Sequence, residues 1–220
     1  MRRRCDAVER RYELKILFLC TGNICRSPMA EALFLRRLEM DYPHLGFVRV
    51  ASAGTSAVEG NPPTATAVQA LDLWGLDLQG HRASALNGRI LGEADLVLAM
   101  AREHLLSVER MDPKALAKTT TLRYLAHRQG EIMLRLGEDT VGDEKEAEER
   151  LEKVLEILRR SPSGPHYLAD MQSSSSDIID PIGSSLQVYI GVAEDLDMAL
   201  EKAMRALFGP PAPGGKGALR

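Results

Sequence analysis

Cysteine is scarce in this chain of 220 residues, which contains only three. The number is odd, and Cys20 and Cys25 lie close together, so they do not form the framework of a disulfide-stabilised secreted protein. Free thiols persist in a reducing compartment. We therefore expect a cytoplasmic protein.

The chain also lacks a strong net charge and a long apolar run. A net charge of −3 offers no basic surface for nucleic acid, and no run approaches the roughly 20 apolar residues that a membrane helix needs. The charged N-terminus leads into a short apolar run that ends at Cys20 rather than at a small-residue cleavage site, which makes a poor signal peptide. We expect neither a nucleic-acid nor a membrane partner.

Short apolar runs do occur, and they alternate with segments of helical period. The runs predict strands at 15–20, 47–51 and 96–100, with a short fourth strand within 118–126. Helices are predicted at 27–40, 61–75, 102–110 and 185–208. Strands that alternate with helices indicate an α/β fold with a parallel sheet.

The amino-acid composition changes in the third quarter of the chain. Residues 138–160 carry many charges and an apolar stripe typical of an amphipathic helix, and a turn-rich, serine-rich connection follows. We interpret 15–208 as one domain with a charged helical insertion at about 128–176, because the insertion is too small to bury a core of its own. Residues 1–14 are a basic extension, and 209–220 are predicted to be disordered.

Two cysteines precede an arginine by six positions, Cys5 with Arg11 and Cys20 with Arg26. The first pair encloses two acidic residues and no glycine, so it would repel an anion and cannot readily fold its backbone inward. We interpret that pair as part of a solvated N-terminal helix. Spacing alone therefore does not identify a site.

The second pair lies where the first predicted strand ends and the first predicted helix begins. Gly22 and Asn23 tolerate left-handed backbone angles, so this loop can turn its N–H groups inward around an anion. Arg26 supplies a two-pronged donor for phosphate oxygens, and Ser27 can donate to a Cys20 thiolate and cap the helix. A thiolate beside a bound dianion predicts displacement on phosphorus through a phosphocysteine. The alternative is an inert core cysteine beside a capped helix.

Such chemistry needs an acid for the leaving oxygen and a base for water. Asp180 is the candidate, because Pro181 favours an extended backbone that would hold it on the loop before the last helix. Taken alone, Asp-Pro before a helix is more often a helix cap. Asp170 and Asp177 are nearby candidates for the same role.

The segments CTGNICRSPMAE and DIIDPIGSSLQVY resemble the two signature segments of the low-molecular-weight protein-tyrosine phosphatase family. The stretches ASAGTS, GNPPTATAVQAL, GHRAS and ADLVLAM fit the same family, and the resemblance covers about 15–125 and 177–207. It implies an open four-stranded parallel sheet flanked by helices, with the phosphate-binding loop after the first strand. We expect no cofactor and no metal ion to take part.

The resemblance also implies a role for individual residues. Cys20 is the expected nucleophile, Arg26 the phosphate clamp, and Asp180 the general acid and base. The rest of the loop is expected to bind the substrate: Thr21, Gly22, Asn23, Ile24, Cys25 and Ser27. Asn23, Ser27, Ser52 and His81 match the polar network that supports the loop in the family.

The expected substrate is a phosphorylated protein. Family members that act on phosphotyrosine usually carry an aromatic residue after the Asp-Pro pair and another on the loop after the second strand, whereas this chain has Ile182 and the non-aromatic stretch TSAVEGNPP. A similar bacterial subgroup acts on phosphoarginine and typically has threonine where this chain has Ile24. The bulky Ile24 favours phosphotyrosine or another aryl phosphate, and phosphoarginine is the second candidate.

Two different functions would use the same fold. Arsenate reduction needs two more cysteines well downstream in related proteins, and no cysteine follows Cys25 here. A non-catalytic phosphate-binding module is disfavoured by the presence of Cys20, Arg26 and Asp180 together.

Two features have two interpretations each. Cys25 is either a redox partner of Cys20 or a small buried residue at the start of the helix. The insertion helix is either a lid or partner surface near Asp180, or a solvated appendage.

Overall fold

A four-stranded parallel sheet forms the centre of the molecule. The structure, a computed structural model, describes residues 13–160 and 177–211. The strands are β1 (Leu14–Cys20), β2 (Val48–Gly54), β3 (Leu96–Ala99) and β4 (Thr119–Thr121), and their order in the sheet is β2-β1-β3-β4. The predicted α/β class and the four-stranded parallel sheet are confirmed.

Eight α-helices surround this sheet in the described ranges. They are α1 (Arg26–Asp41), α2 (Ala65–Asp72), α3 (Gly88–Glu93), α4 (Glu103–Met111), α5 (Leu122–His127), α6 (Gln129–Leu136), α7 (Glu144–Arg159) and α8 (Leu186–Phe208), with a short 3-10 helix at Pro113–Lys118. Within the described residues, no helix is both long and apolar enough to cross a membrane.

Both faces of the sheet are buried, which explains the continuous apolar run of β1. Phe18 and Cys20 belong to the larger core cluster, formed with α1, α2, α5, α7 and α8, whereas Leu17 and Leu19 belong to a smaller cluster with α3 and part of α4. Alternate residues of a strand point to opposite faces. Cys20 therefore ends the strand on the face that α1 and α8 cover.

Among the predicted elements, β2 and α2 differ most from their predicted bounds. Strand β2 continues to Gly54 rather than ending at residue 51, because its parallel pairing with β1 extends to the register Gly54 with Cys20. Helix α2 begins at Ala65 rather than at residue 61, since two prolines precede Thr64, whose hydroxyl caps the helix by accepting from the Ala67 N–H at 3.2 Å.

The insertion helix α7 is part of the core. Val154 and Leu158 on its apolar stripe are buried, and the Arg150 Nε donates to the Ala206 carbonyl near the end of α8 at 3.0 Å. A solvated appendage is therefore the wrong description. Ala206 is about 25 Å along α8 from Tyr189, which contacts the Cys25 side chain, so this contact of α7 lies at the opposite end of α8 from the loop.

Both ends of the domain differ slightly from the predicted bounds of 15–208. Leu14 is buried and pairs with Val48, so β1 begins one residue before the predicted boundary. The start of the predicted disordered tail is ordered, because the Gly209 carbonyl accepts from the Tyr42 hydroxyl at 2.9 Å and the Pro210 carbonyl from Thr140 at 2.8 Å. The rest of the tail, the Cys5–Arg11 pair and Asp170 lie outside the described residues.

Candidate active site

The loop between β1 and α1 packs tightly against the end of β2. The Thr55 N–H donates to the Cys20 carbonyl at 2.8 Å, and the Ser56 N–H to the Thr21 carbonyl at 2.9 Å. A Cβ atom at Gly54 would lie 2.6 Å from the Thr21 carbonyl oxygen and 2.9 Å from the Asn23 nitrogen. Glycine at position 54 is therefore required for this approach.

Asn23 shapes the loop through its backbone. Its φ of 53° is the only positive φ of a non-glycine residue in the described ranges. Asparagine adopts this conformation more readily than most residues do. The turn directs the Asn23 N–H to the Cys20 Sγ, at 3.2 Å, which is the inward orientation expected of an anion-binding loop.

The side chain of Asn23 is completely buried and fully hydrogen bonded. Its Oδ1 accepts from the Ser84 N–H at 2.8 Å, which fixes the orientation of the amide. Its Nδ2 donates to the Ser27 and Ser52 hydroxyls at 2.9 and 2.8 Å. The His81 Nε2 donates to the Asn23 carbonyl at 2.8 Å. The four residues expected to form a supporting network thus lie together.

Cys20 is buried, and its sulfur has two donors within reach. The Ser27 Oγ lies 2.9 Å from the Sγ and accepts from Asn23, and its own hydrogen can go to the sulfur, which is nearer than the alternative acceptor, the Ala53 carbonyl at 3.4 Å. This hydroxyl and the Asn23 N–H are the donors from which a thiolate, the reactive form of cysteine, would accept hydrogen bonds. This arrangement argues against an inert core thiol.

Glu31 extends the network and was not singled out from the sequence. The Ser52 hydroxyl accepts from Asn23 and donates to the Glu31 Oε2 at 2.6 Å. Burial raises the pKa of Glu31, while the Ser52 hydrogen bond and the charge of His81 act in the opposite direction. The sequence feature that could have identified Glu31 is its position four residues after Ser27 on α1, which places both residues on one face of the helix.

Arg26 is buried and meets Asp180 across the site. Its side chain is 4% exposed, and the Nη2 donates to the Asp180 Oδ2 at 2.6 Å and to the Thr21 Oγ1 at 3.2 Å. The Nη1 donates to the Ile178 carbonyl at 3.3 Å. Among residues 13–160 and 177–211 nothing accepts from the Arg26 Nε–H, so this group is available for an anion.

Asp177 has a different role from Asp180. Its carboxylate accepts from the Arg102 N–H at 2.9 Å and from the Arg102 guanidinium at 3.0–3.2 Å. The next residue, Ile178, donates its N–H to the Met100 carbonyl at 2.7 Å. These bonds fasten the loop to the end of β3, so Asp177 positions the loop and is not available as an acid.

The Asp180 side chain does not cap the last helix. The N-cap of α8 is Ser185, five residues later. The Asp180 Oδ1 accepts instead from the Ile182 N–H at 3.2 Å, and its carboxylate is 42% exposed. A partly exposed carboxylate beside a buried arginine is suited to exchange protons with a bound molecule.

Cys25 is a buried, hydrogen-bonded thiol. Its Sγ lies 3.3 Å from the Tyr189 hydroxyl and 3.4 Å from the Thr64 hydroxyl, which itself donates to Tyr189. Burial raises the pKa of the Cys25 thiol, despite the hydrogen bonds to Thr64 and Tyr189, and raises that of Tyr189 to about 12. Both groups therefore hold their protons at neutral pH. Cys25 and Cys20 are both free thiols.

The remaining loop residues are partly exposed, as a substrate contact requires. A Cβ at Gly22 would lie 3.3 Å from the Ile24 Cγ1, so the two positions pack side by side. The Ile24 carbonyl accepts from the Thr64 N–H at 3.0 Å, which ties the loop to α2. On the neighbouring loops, Val58 and Ile182 are 65% and 59% exposed in place of aromatic residues.

Comparison with known proteins gives one consistent family. The model of low molecular weight phosphotyrosine protein phosphatases matches residues 15–164, a range that includes Cys20 and Arg26 and ends before Asp180. The chain is 38% identical over 104 residues to the low molecular weight protein-tyrosine-phosphatase Etp of Escherichia coli K12, covering 47% of this chain and 66% of that protein. It is 34% identical over 148 residues to the protein-arginine-phosphatase of Bacillus subtilis, covering 67% and 95%.

Solved structures of a tyrosine phosphatase and of an arginine phosphatase share the fold. A low molecular weight protein tyrosine phosphatase from T. tengcongensis is 29% identical, with a TM-score of 0.60 over 88% of this chain and 99% of that one. The YwlE arginine phosphatase from Geobacillus stearothermophilus is 27% identical, with a TM-score of 0.59 over 86% and 89%. The alignment with the E. coli protein spans only about two thirds of that protein's length.

The buried network predicts that Asn23 is needed for stability as well as for loop shape. Replacement by alanine leaves the Ser84 N–H without its partner, removes one donor from each of the Ser27 and Ser52 hydroxyls and strains the left-handed backbone, so Asn23→Ala should lower the free energy of unfolding by about 2–4 kcal/mol. Asn23→Gly removes the same bonds without the strain, and should recover about 1 kcal/mol of that loss.

Urea denaturation of both variants measures this difference. The matched control is Asn87→Ala, which removes an exposed N-cap of α3 whose amide binds Ala85, Arg89 and Ile90, and should cost about 1 kcal/mol. Equal stability of Asn23→Ala and Asn87→Ala would contradict the importance of the network.

Proposed function

Because the chain belongs to the low molecular weight phosphotyrosine protein phosphatase family, we propose that it hydrolyses phosphate monoesters on proteins through a phosphocysteine at Cys20. The main support is the hydrogen bonding of the loop, in which the Asn23 N–H and Ser27 Oγ lie 3.2 and 2.9 Å from the Cys20 Sγ. The same loop leads directly into Arg26, whose guanidinium contacts the partly exposed carboxylate of Asp180.

In the first step, the phosphoryl group binds to the loop N–H groups and the Arg26 guanidinium. Its oxygens compete with Asp180 for Arg26, and the released, partly exposed carboxylate takes up a proton from solvent before it acts on the leaving oxygen as an acid. The Cys20 thiolate forms a bond to phosphorus as the bond to the leaving oxygen breaks, and Asp180 gives that oxygen its proton. The products are phosphocysteine and the dephosphorylated protein.

In the second step, water displaces the sulfur. The Asp180 carboxylate takes a proton from the attacking water, whose oxygen bonds to phosphorus as the S–P bond breaks. Inorganic phosphate leaves, and the thiolate returns to the hydrogen bonds of Asn23 and Ser27. Since these donors are already in place, the leaving thiolate is stabilised without rearrangement of the loop.

The proposed substrate is phosphotyrosine or another aryl phosphate on a protein. Ile24 supports this choice, because a bulky branched side chain beside the loop is the feature that the phosphotyrosine members carry. Phosphoarginine is the second candidate, supported by the similarity to the Bacillus subtilis arginine phosphatase over 95% of its length and by the non-aromatic Val58 and Ile182. We also propose the cytoplasm as its location, because the two thiols, Cys20 and Cys25, are free.

The acid role of Asp180 predicts a dependence on the leaving group. Asp180→Asn cannot supply a proton, so it should slow the phosphorylation of Cys20 by about 100-fold or more for a poor leaving group such as phenol. The loss should be much smaller for p-nitrophenol, which leaves without a proton. Rapid-mixing kinetics on the two aryl phosphates measure the difference.

The matched control for that experiment is Asp177→Asn. It loosens the loop by removing the Arg102 ion pair, and should slow both substrates by a similar factor. A leaving-group dependence that follows Asp177→Asn instead of Asp180→Asn would move the acid to that residue.

Substrate choice is tested by rates on matched phosphotyrosine and phosphoarginine peptides. We expect a higher kcat/KM for phosphotyrosine, and a shift towards phosphoarginine in Ile24→Thr, because the smaller side chain opens the pocket. Thr64→Ser serves as a control near the same loop that leaves position 24 unchanged. A strong preference of the natural protein for phosphoarginine would replace the first candidate with the second.

A further inference from the structure

A histidine outside the predicted site lies directly behind the phosphate-binding loop. His104 is in the first turn of α4 and is 1% exposed. Its imidazole lies between the backbone at the end of β3 and the side chain of Thr21 in the loop. The mechanism described above does not use this ring.

The hydrogen bonds determine which ring nitrogen carries the proton. The Ala101 N–H donates to the His104 Nδ1 at 3.0 Å, so the Nδ1 is an acceptor and has no hydrogen. The hydrogen of the neutral ring must then lie on the Nε2, which is 3.0 Å from the Thr21 Oγ1. His104 therefore donates to Thr21.

The ring is neutral because of its surroundings. Burial, and then the positive charge of Arg26, lowers the pKa of His104 to about 4, against weaker opposing effects of the Ala101 hydrogen bond, Asp177 and Asp180. The exposed Glu103 carboxylate also lies 3.5 Å from the Nε2. A protonated ring here would add a second positive charge beside the arginine that binds phosphate.

The Thr21 hydroxyl connects His104 to Arg26. Its oxygen accepts from the His104 Nε2 and from the Arg26 Nη2, at 3.0 and 3.2 Å, which uses both lone pairs. Its own hydrogen points to the Glu103 Oε1 at 3.5 Å. The direction of the lone pair that faces Arg26 is thus set by the His104 donor.

From this chain of bonds we propose that His104 is a positioning residue for phosphate binding. Its Nε2–H orients the Thr21 hydroxyl, which accepts from the Arg26 Nη2 and so helps to hold the guanidinium in place for the anion. The inference rests on the proposed phosphatase function. It adds a residue on α4, which lies outside the phosphate-binding loop. A histidine that merely fills the core would not influence anion affinity.

The test is inhibition by vanadate, an anion that occupies the phosphate site. His104→Phe keeps the bulk of the ring but removes the donor, and should raise the vanadate Ki and the KM for an aryl phosphate threefold to tenfold. His104→Gln reaches about as far and retains an N–H for Thr21, so its Ki should stay near that of the natural protein. His44→Phe is the matched control, because the His44 Nε2 donates to the Val141 carbonyl at 2.9 Å away from the loop.

A double-mutant cycle with Thr21→Val separates positioning from general damage. If His104 acts through Thr21, adding His104→Phe to Thr21→Val should raise the Ki no further. Effects that multiply, or a His104→Phe protein with the vanadate Ki of His44→Phe, would overturn the inference while leaving the phosphatase function intact. A natural protein that neither hydrolyses aryl phosphates nor binds vanadate would overturn both.

Should His104→Phe fail to fold, 15N NMR of the imidazole tests the same contact in the natural protein. We expect a neutral ring protonated at the Nε2, with slow exchange of that proton that becomes faster in Thr21→Val. A ring protonated at the Nδ1, or an exchange rate insensitive to Thr21, would overturn the inference.

Discussion

The left-handed turn at Asn23 is the constraint on which the rest of the site depends. It directs the Asn23 N–H to the Cys20 sulfur, and it is held by hydrogen bonds from Ser84 and His81. These partners come from a connection far along the chain, so the loop acquires its shape only when the sheet and its crossovers have formed. Gly54 completes the constraint by allowing β2 to lie against the loop backbone. Local flexibility at Gly22 and Asn23 permits the turn, and long-range contacts select it.

Charge is balanced across the site by a pair distant in sequence. Arg26 and Asp180 are 154 positions apart, and meet because α1 and the loop before α8 converge at the carboxyl end of the sheet. A buried guanidinium without a partner is strongly destabilising. Asp180 supplies the negative charge in this structure, and a bound phosphoryl group would supply it during turnover. One buried charge thereby serves both folding and binding, and the Asp177–Arg102 pair keeps the loop within reach.

Several features could be predicted from the sequence because their signals are local. Cys20 and Arg26 follow from a strand, a glycine-containing loop and a helix in direct succession, and α7 follows from its apolar stripe. The role of Asp180 needed a family resemblance, since an Asp-Pro pair alone indicates a cap. Glu31 and His104 were missed because their significance comes from contacts with Ser52 and Thr21, residues 21 and 83 positions away. The ordered start of the tail was missed because composition does not reveal hydrogen bonds such as that between Tyr42 and Gly209.

The covalent intermediate is the most direct test of the account. Asp180→Asn should allow Cys20 to be phosphorylated by p-nitrophenyl phosphate while slowing its hydrolysis, so that the intermediate accumulates. A denaturing quench after rapid mixing, followed by peptide mapping with mass spectrometry, then locates the phosphoryl group. We predict phosphorylation of Cys20 and of no other residue in the segment from Leu14 to Asp41. Turnover with an unmodified Cys20, or with the phosphoryl group on Cys25 or Ser27, would contradict the account.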